Sequence, residues 1–268
     1  MKGKLFFVAT PIGNLKDISL RAIETLQFCD EILCEDTRES LKLLSHLNIK
    51  KPLLSYHKFN FKKQTDVVLQ KLMNGKNLAL ITDAGTPAIS DPGTELINTL
   101  MQNKIEYTII PGASAFLNAF VLSGFSSPFT FVGFLPEKNT EKQKLIDELK
   151  FYKSTLIFYC APHNLNEFLK YLFEKLQNRK ICVVRELTKK FEEVMFLNLK
   201  DEYMGELKGE FVVIVQGNTE KEELNNLSII DHFNYYFNLG NTKNESIKLV
   251  AKDRRIAKNE IYKLVVKG

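Results

Sequence analysis

The sequence predicts an α/β fold whose first half rests on a largely parallel sheet, and three observations carry that reading. Short apolar runs of strand length alternate with segments whose apolar residues recur at helical spacing. Glycine- and proline-bearing turns follow several of these runs directly, as expected where a strand ends before a helical crossover. Hydrophobic residues make up 44% of 268, enough for a chain of this length to bury a sizeable core.

In chain order, LFFVA (5–9) is the first strand, and Ile18, Ala22 and Leu26 mark a helix with Asp17 as its cap. EILCE (31–35) follows as a strand, Val67, Val68, Lys71 and Leu72 as a helix face, and LALIT (78–82) and YTII (107–110) as strands. A proline-bearing connection, SSPFTFVGFLPEKNT (126–140), leads to a second set. There Thr140 with Gln143 has the spacing of a capping box, opening a helix through about Lys150. TLIFYC (155–160), a helix near 164–177, ICVVREL (181–187), a strand near 193–199 and EFVVIVQG (210–217) complete it. The polar stretch GNTEKEELNN (217–226) then separates NESIKLVAKDRRIAKNEIYKLV (244–265), which reads as two short helices around a turn. The expected organisation is an N-terminal α/β domain (1–127), a second α/β domain (128–220) and a basic helical tail (228–268).

Composition narrows the function. No low-complexity run or internal repeat is visible, which excludes disorder and solenoids. The apolar run before Pro11 is too short for a signal-peptide core, and no apolar stretch reaches the roughly 18 residues of a membrane span, so a cytoplasmic location is expected. Cys29, Cys34, Cys160 and Cys182 form no CxxC pair and no zinc-spaced cluster, so they read as reduced, buried thiols and no metal is expected. The net charge is +5, and the eight Lys/Arg against four Asp/Glu of residues 228–268 supply +4 of it.

Neither a P-loop nor a G-x-G-x-x-G pattern is present, so nucleotide hydrolysis and dinucleotide binding have no support. What stands out instead is three glycine- and proline-rich turns after strands: VATPIGNL (8–15), TDAGTP (82–87) and IIPGASA (109–115). Glycine lets a ligand approach the backbone, and the carboxyl ends of parallel strands are where open α/β sheets bind ligands. Three such ends suggest one shared crevice.

TPIGNLKDIS (10–19), EDTR (35–38), TDAGTPAISDPG (82–93), PGASA (111–115), GFLP (133–136), RELTK (185–189) and KGEFVVIV (208–215), in that order, resemble the ribosomal RNA small subunit methyltransferase I family of the tetrapyrrole methylase superfamily. The resemblance spans essentially the whole chain. It implies two α/β domains of the tetrapyrrole methylase type with S-adenosylmethionine in the cleft between them, and a homodimer. It also implies transfer of a methyl group to the ribose 2′-hydroxyl of a cytidine in the decoding region of 16S ribosomal RNA within the small subunit. By motif, the cofactor residues are Pro11, Ile12, Gly13, Asp83, Gly85, Thr86, Ile89, Ser114 and Ala115, with Leu187 from the second domain. Thr86 stands where the superfamily commonly has aspartate.

In-line methyl transfer depends chiefly on placing the reactants, helped by a base for the hydroxyl proton and a cation for the developing alkoxide. Glu186 or Asp36 is expected to accept the proton, and Lys189 or Arg38 to pair with RNA phosphate or the alkoxide; the alternative is that Arg185 and Glu186 form a structural ion pair. Cys160 and Asn164 stand where the family commonly has glutamate and arginine, so an ionic role for that pair is absent, and Cys160 and His163 read as structural. In the tail, Lys252, Arg254, Arg255 and Lys258 are expected to contact RNA phosphates; alternatively these cations only solvate a helical pair whose apolar side, Ile247, Val250, Ile256, Ile261 and Leu264, packs on the body. Two rival functions remain: a methylase acting on a tetrapyrrole or a protein side chain, and a non-catalytic RNA-binding factor on the same fold.

Overall fold

The computed structural model describes residues 2–89, 93–219 and 224–266. Ser90, Asp91 and Pro92 of the TDAGTPAISDPG motif, residues 220–223 of the polar stretch and the last two residues of the tail lie outside the described residues.

Five strands, β1 (Leu5–Val8), β2 (Glu31–Cys34), β3 (Leu53–Ser55), β4 (Leu78–Leu80) and β5 (Tyr107–Ile110), form an all-parallel sheet in the order β3-β2-β4-β1-β5. Alternate residues leave a strand on opposite faces, and both faces here are covered. Leu5, Phe7, Leu33, Leu78 and Leu80 pack against Val68 and Leu72 of α3 (Phe61–Met73) and Leu96 and Leu100 of α4 (Thr94–Gln102). Val8, Ile32, Cys34 and Ala79 pack on the other side against Ala22 and Leu26 of α1 (Leu20–Phe28) and Leu44 of α2 (Thr37–His46). Burial on both faces of β1, β2 and β4 explains why these three strands read as continuous apolar runs rather than as alternation, while the edge strands β3 and β5 are half-buried or partly exposed.

A second sheet comprises β6 (Phe129–Gly133), β7 (Thr155–Cys160), β8 (Lys180–Arg185), β9 (Glu193–Asn198) and β10 (Phe211–Val215) in the order β6-β7-β10-β8-β9, with β6 and β7 parallel and the other pairs antiparallel. One face packs on α6 (Asn139–Leu149) and α7 (Leu165–Leu176). The other face meets α5 (Ala115–Ser123): Ala119 of α5 and Ile12 share a buried cluster with Ile157, Cys182, Val184, Leu187 and Ile214. That cluster joins the two sheets.

Several local expectations are corrected. Ser19, not Asp17, caps α1 by accepting from Ala22 N, and Asp17 instead closes a short 3-10 turn. Thr140 and Gln143 form no capping box, because α6 already begins at Asn139. The connection at 126–140 contains strand β6, and the short strand β3 has no counterpart in the apolar pattern. The tail holds α8 (Ile229–Asn238), α9 (Lys243–Arg254) and α10 (Lys258–Val266), one helix more than expected. Among the described residues its apolar side chains form a cluster of their own: Phe233, Ile247, Val250, Ala251 and Ile261 make a small core with Ile256 at its margin, while Leu264 is exposed. No helix among the described residues is long and apolar enough to cross a membrane.

Candidate active site

The carboxyl ends of β1, β4 and β5 are tied into one ledge. Thr10 N donates to Gly85 O at 2.9 Å and Gly85 N to Thr10 O at 3.1 Å, while the Thr10 hydroxyl reaches Thr82 O at 3.2 Å. Thr86 Oγ1 donates to Ala113 O at 3.1 Å, which links the second turn to the third. Gly85 adopts φ +80°, a conformation that favours glycine, and a Cβ there would sit 3.3 Å from Ile12 Cγ2.

The ledge faces a wall from the second sheet, and between them lies a cavity of about 420 Å³, within the usual range for small-molecule sites. Of the residues expected to hold the cofactor, Ile12, Gly85, Thr86, Ile89, Ser114 and Ala115 line it. Four do not. Pro11 and Gly13 belong to the turn that locks onto the second sheet: Asn14 N donates to Thr188 Oγ1 at 3.1 Å, and a Cβ on Gly13 would fall 2.4 Å from Lys189 Cγ. Leu187 is buried in the cluster with Ile12. Asp83 stands beside the cavity, its Oδ1 accepting from Asp36 N at 3.2 Å. The opposite wall, Phe134, 159–162 and 209–212, was not expected to touch the cofactor, although GFLP and KGEFVVIV were the motifs that contain part of it.

Ser114 supplies the clearest mark of a ligand. It occupies the N-cap position of α5 but makes no capping bond, and its buried Oγ has no hydrogen-bond partner. Buried hydroxyls are normally paired. An orphaned hydroxyl in the wall of a cavity rich in open backbone fits S-adenosylmethionine, whose adenosine and amino-acid portions offer both donors and acceptors. Cys160 also lines the cavity, but burial pushes its thiol up to about 12, so it is protonated and not a nucleophile.

The candidate catalytic residues form two separate pairs, and among the described residues no hydrogen bond or ion pair joins one to the other. In EDTR, Asp36 caps α2 by accepting from Arg38 N at 2.8 Å and holds the Arg38 guanidinium at 3.1 and 2.6 Å. Those bonds from Arg38 hold the Asp36 carboxyl down at about 2. In RELTK, Glu186 and Thr188 have φ of +49° and +68°, sparsely populated for side-chain-bearing residues. Glu186 Oε1 accepts from Lys189 Nζ at 2.8 Å and from Glu210 N at 3.0 Å, and Lys189 also reaches Glu210 Oε2 at 3.1 Å. Burial works to raise the Glu186 carboxyl, but the bonds from Lys189 and Glu210 N outweigh it and leave it lowered. Arg185 does not pair with Glu186. It donates to Lys208 O at 2.9 Å and Glu206 Oε2 at 2.7 Å, a structural role beneath the turn. Asp83 differs from both pairs, since burial raises its carboxyl and Asp36 N is its one hydrogen-bond donor among the described residues.

In the tail, Lys252, Arg255 and Lys258 are exposed, but Arg254 turns inward: Nε donates to His232 Nδ1 at 3.1 Å, and Nη2 to the carbonyls of Leu224, Leu227 and Ser228. Arg254 therefore holds the tail together and is not free for phosphate.

A parallel sheet and a mixed sheet share a cavity at their strand ends, and the family match over most of the chain makes this the tetrapyrrole methylase class. The family model described as Tetrapyrrole (Corrin/Porphyrin) Methylases matches residues 4–201. Solved structures with this fold include a uroporphyrin-III-C-methyltransferase from Thermus thermophilus, at TM-score 0.56 and 18% identity, covering 80% of this chain and 94% of that one. A diphthine synthase matches at TM-score 0.62 and 14% identity, covering 80% and 90%. Among curated relatives, the Ribosomal RNA small subunit methyltransferase I of Halalkalibacterium halodurans is 42% identical over 273 positions, covering 98% of this chain and 94% of its own. Its namesake in Mycoplasmopsis pulmonis is 46% identical over 218 positions, covering 79% and 96%. The chain belongs to the ribosomal RNA small subunit methyltransferase I family.

Proposed function

We propose that the protein uses S-adenosylmethionine to methylate the ribose 2′-hydroxyl of a cytidine in the decoding region of 16S ribosomal RNA, acting on the small subunit in the cytoplasm as a homodimer. The observation that carries the reading is the cavity with its orphaned Ser114 hydroxyl, in a chain 42% identical along nearly its full length to a relative named for small-subunit rRNA methylation. When bound, the cofactor supplies an electrophilic methyl group on a sulfonium. Ser114 and the backbone of Gly85 and Thr86 hold it from one sheet, and residues 159–162 and 209–212 close over it from the other.

The protein's own contribution is then placement and proton handling. Asp36 takes donors on both oxygens and Glu186 takes two on Oε1, and these bonds lower both carboxyls, which makes them weak bases and better suited to positioning Arg38 and Lys189. Asp83 is the stronger base of the three carboxylates, because desolvation raises it whereas hydrogen bonds from Arg38, Lys189 and Glu210 N lower the other two. Arg38 lies exposed beside Asp83's partner Asp36, where its guanidinium can meet an RNA phosphate. Lys252, Arg255 and Lys258 extend a basic surface along the tail. In this proposal the chain folds as the N-terminal α/β domain, the second α/β domain and the basic helical tail.

The test is to incubate the protein with unmodified small subunits and methyl-labelled cofactor, then map the label by nuclease digestion and mass spectrometry. A single methyl on a cytidine ribose in the decoding region is expected. Label on a base, or label accepted only by a corrinoid precursor or a protein, would overturn the proposal.

A further inference from the structure

Phe59 is 85% exposed, on the turn that leaves the carboxyl end of β3. Three side-chain hydrogen bonds close the turn. Asn60 Oδ1 accepts from His57 N at 2.9 Å, Asn60 Nδ2 donates to Ser55 O at 3.1 Å, and Phe59 N donates to His57 Nδ1 at 3.2 Å. Below it, the buried Tyr56 hydroxyl meets Thr65 Oγ1 at 3.1 Å. Exposed single apolar side chains are common, but here two groups converge on one ring. The His57 ring stands edge-on to it at 5.9 Å, and Lys58 Nζ lies 5.0 Å over its face.

Charge adds to this. From Ser55 to Lys63 there are three lysines, Lys58, Lys62 and Lys63, and no acidic residue. All three are exposed and none makes an ion pair among the described residues. Lys62 and Lys63 sit in the first turn of α3, which has no acidic residue, and there a cation is unfavourable to the helix dipole. Lysines placed against the dipole around a projecting aromatic ring are complementary to a polyanion carrying stacking bases.

Position completes the argument. β3 pairs with β2 and β2 with β4, all parallel, so the turn after β3 lies on the same edge of the sheet as Asp36, Arg38 and Asp83. At about 4.8 Å between strands, it is roughly 10 Å from the loop that carries Asp83, a gap that a few nucleotides of extended strand cover. We infer that single-stranded RNA flanking the target nucleotide runs across this edge, one base stacking on Phe59 while Lys58, Lys62 and Lys63 take its phosphates. This rests on the RNA-methylation reading and adds its substrate path.

The experiment compares wild type, Phe59→Ala, Phe59→Tyr and a Lys58→Gln/Lys62→Gln/Lys63→Gln triple variant. It measures fluorescence anisotropy with a labelled, unstructured oligoribonucleotide, the KM for unmodified small subunits, and S-adenosylmethionine affinity. Phe59→Ala should weaken oligomer binding and raise KM about tenfold, as loss of one stacked base does, with cofactor affinity unchanged; Phe59→Tyr should restore both. The triple variant should flatten the dependence of log affinity on log salt by about 2, three phosphates at roughly 0.7 each. Unchanged oligomer affinity and KM in Phe59→Ala would overturn the inference. So would a change in the protein's own sedimentation at unchanged oligomer affinity, which would assign the ring to a second copy of the chain. If the wild-type protein binds the oligomer through Phe59 but methylates no small subunits, the RNA surface stands and the proposed reaction falls.

Discussion

Replacing Ser114 with alanine should move stability and affinity in opposite directions. The Ser114 hydroxyl is buried, caps nothing and has no partner, so in the ligand-free protein it carries the desolvation penalty of an unsatisfied polar group, about 1–3 kcal/mol. Alanine removes that penalty. A gain near the lower end, about 1 kcal/mol, corresponds to a rise of roughly 2–4 °C in the thermal midpoint for a chain of this size. With the cofactor bound the hydroxyl has something to pair with, so its loss should weaken S-adenosylmethionine binding by about 1.4 kcal/mol, or tenfold. Differential scanning fluorimetry without ligand and isothermal calorimetry with it read the two effects separately. If Ser114 instead turns to cap α5 in solution, the substitution should cost about 1 kcal/mol and leave binding alone. A lowered midpoint with unchanged affinity would show that the hydroxyl caps α5 and does not meet the cofactor.

Other perturbations test other parts of the account. Gly85→Ala places a Cβ on a residue at φ +80° and 3.3 Å from Ile12 Cγ2, so it should cost about 1–2 kcal/mol in a denaturant titration and weaken cofactor binding as the ledge shifts. Asp83→Asn should lower kcat about 100-fold or more while sparing cofactor affinity. Because desolvation raises the Asp83 carboxyl, the wild-type rate should fall on acidification at a pH higher than an ordinary aspartate would give, and the variant should lack that limb. His232 is fully buried, with Arg254 on Nδ1 and Asp253 3.7 Å from Nε2; burial and then Arg254 lower its pKa below the ordinary 6.5, against Asp253. The unfolded tail therefore binds the proton more readily, and tail stability should be complete above about pH 6.5 and decline as pH falls below it, read by hydrogen exchange over 229–266. Arg254→Ala should raise exchange in the same helices at all pH values without changing cofactor affinity.

Much of this arrangement could be read from the chain, for identifiable reasons. Strands buried on both faces, such as LFFVA and LALIT, stand out as unbroken apolar runs, and the turns that follow them are marked by glycine and proline. β3 was invisible because a three-residue edge strand, half-buried throughout, shows no period. β6 was hidden between Pro128 and Pro136, which make a half-buried strand look like a linker. Helix starts failed where two plausible caps lay close together: Asp17 and Ser19 are both acceptable, and only the path of the chain out of the 3-10 turn selects Ser19. At the site, the ledge was legible because each of its turns is local. The facing wall was not, since 159–162 and 209–212 meet the cavity only through the pairing of β7 with β10. Arg254 illustrates a limit of charge counting, because composition cannot distinguish a guanidinium facing solvent from one bound to His232 and three carbonyls.

The most direct test of the central claim, that the facing strand ends of the two sheets hold the methyl donor, is a crystal structure of the protein soaked with S-adenosylmethionine. Density for the donor is expected between Gly85, Ser114 and the 159–162 and 209–212 segments, with Ser114 Oγ in a hydrogen bond to it. A donor bound elsewhere, or a cavity left empty at saturating concentration with Ser114 Oγ still unpaired, would contradict it.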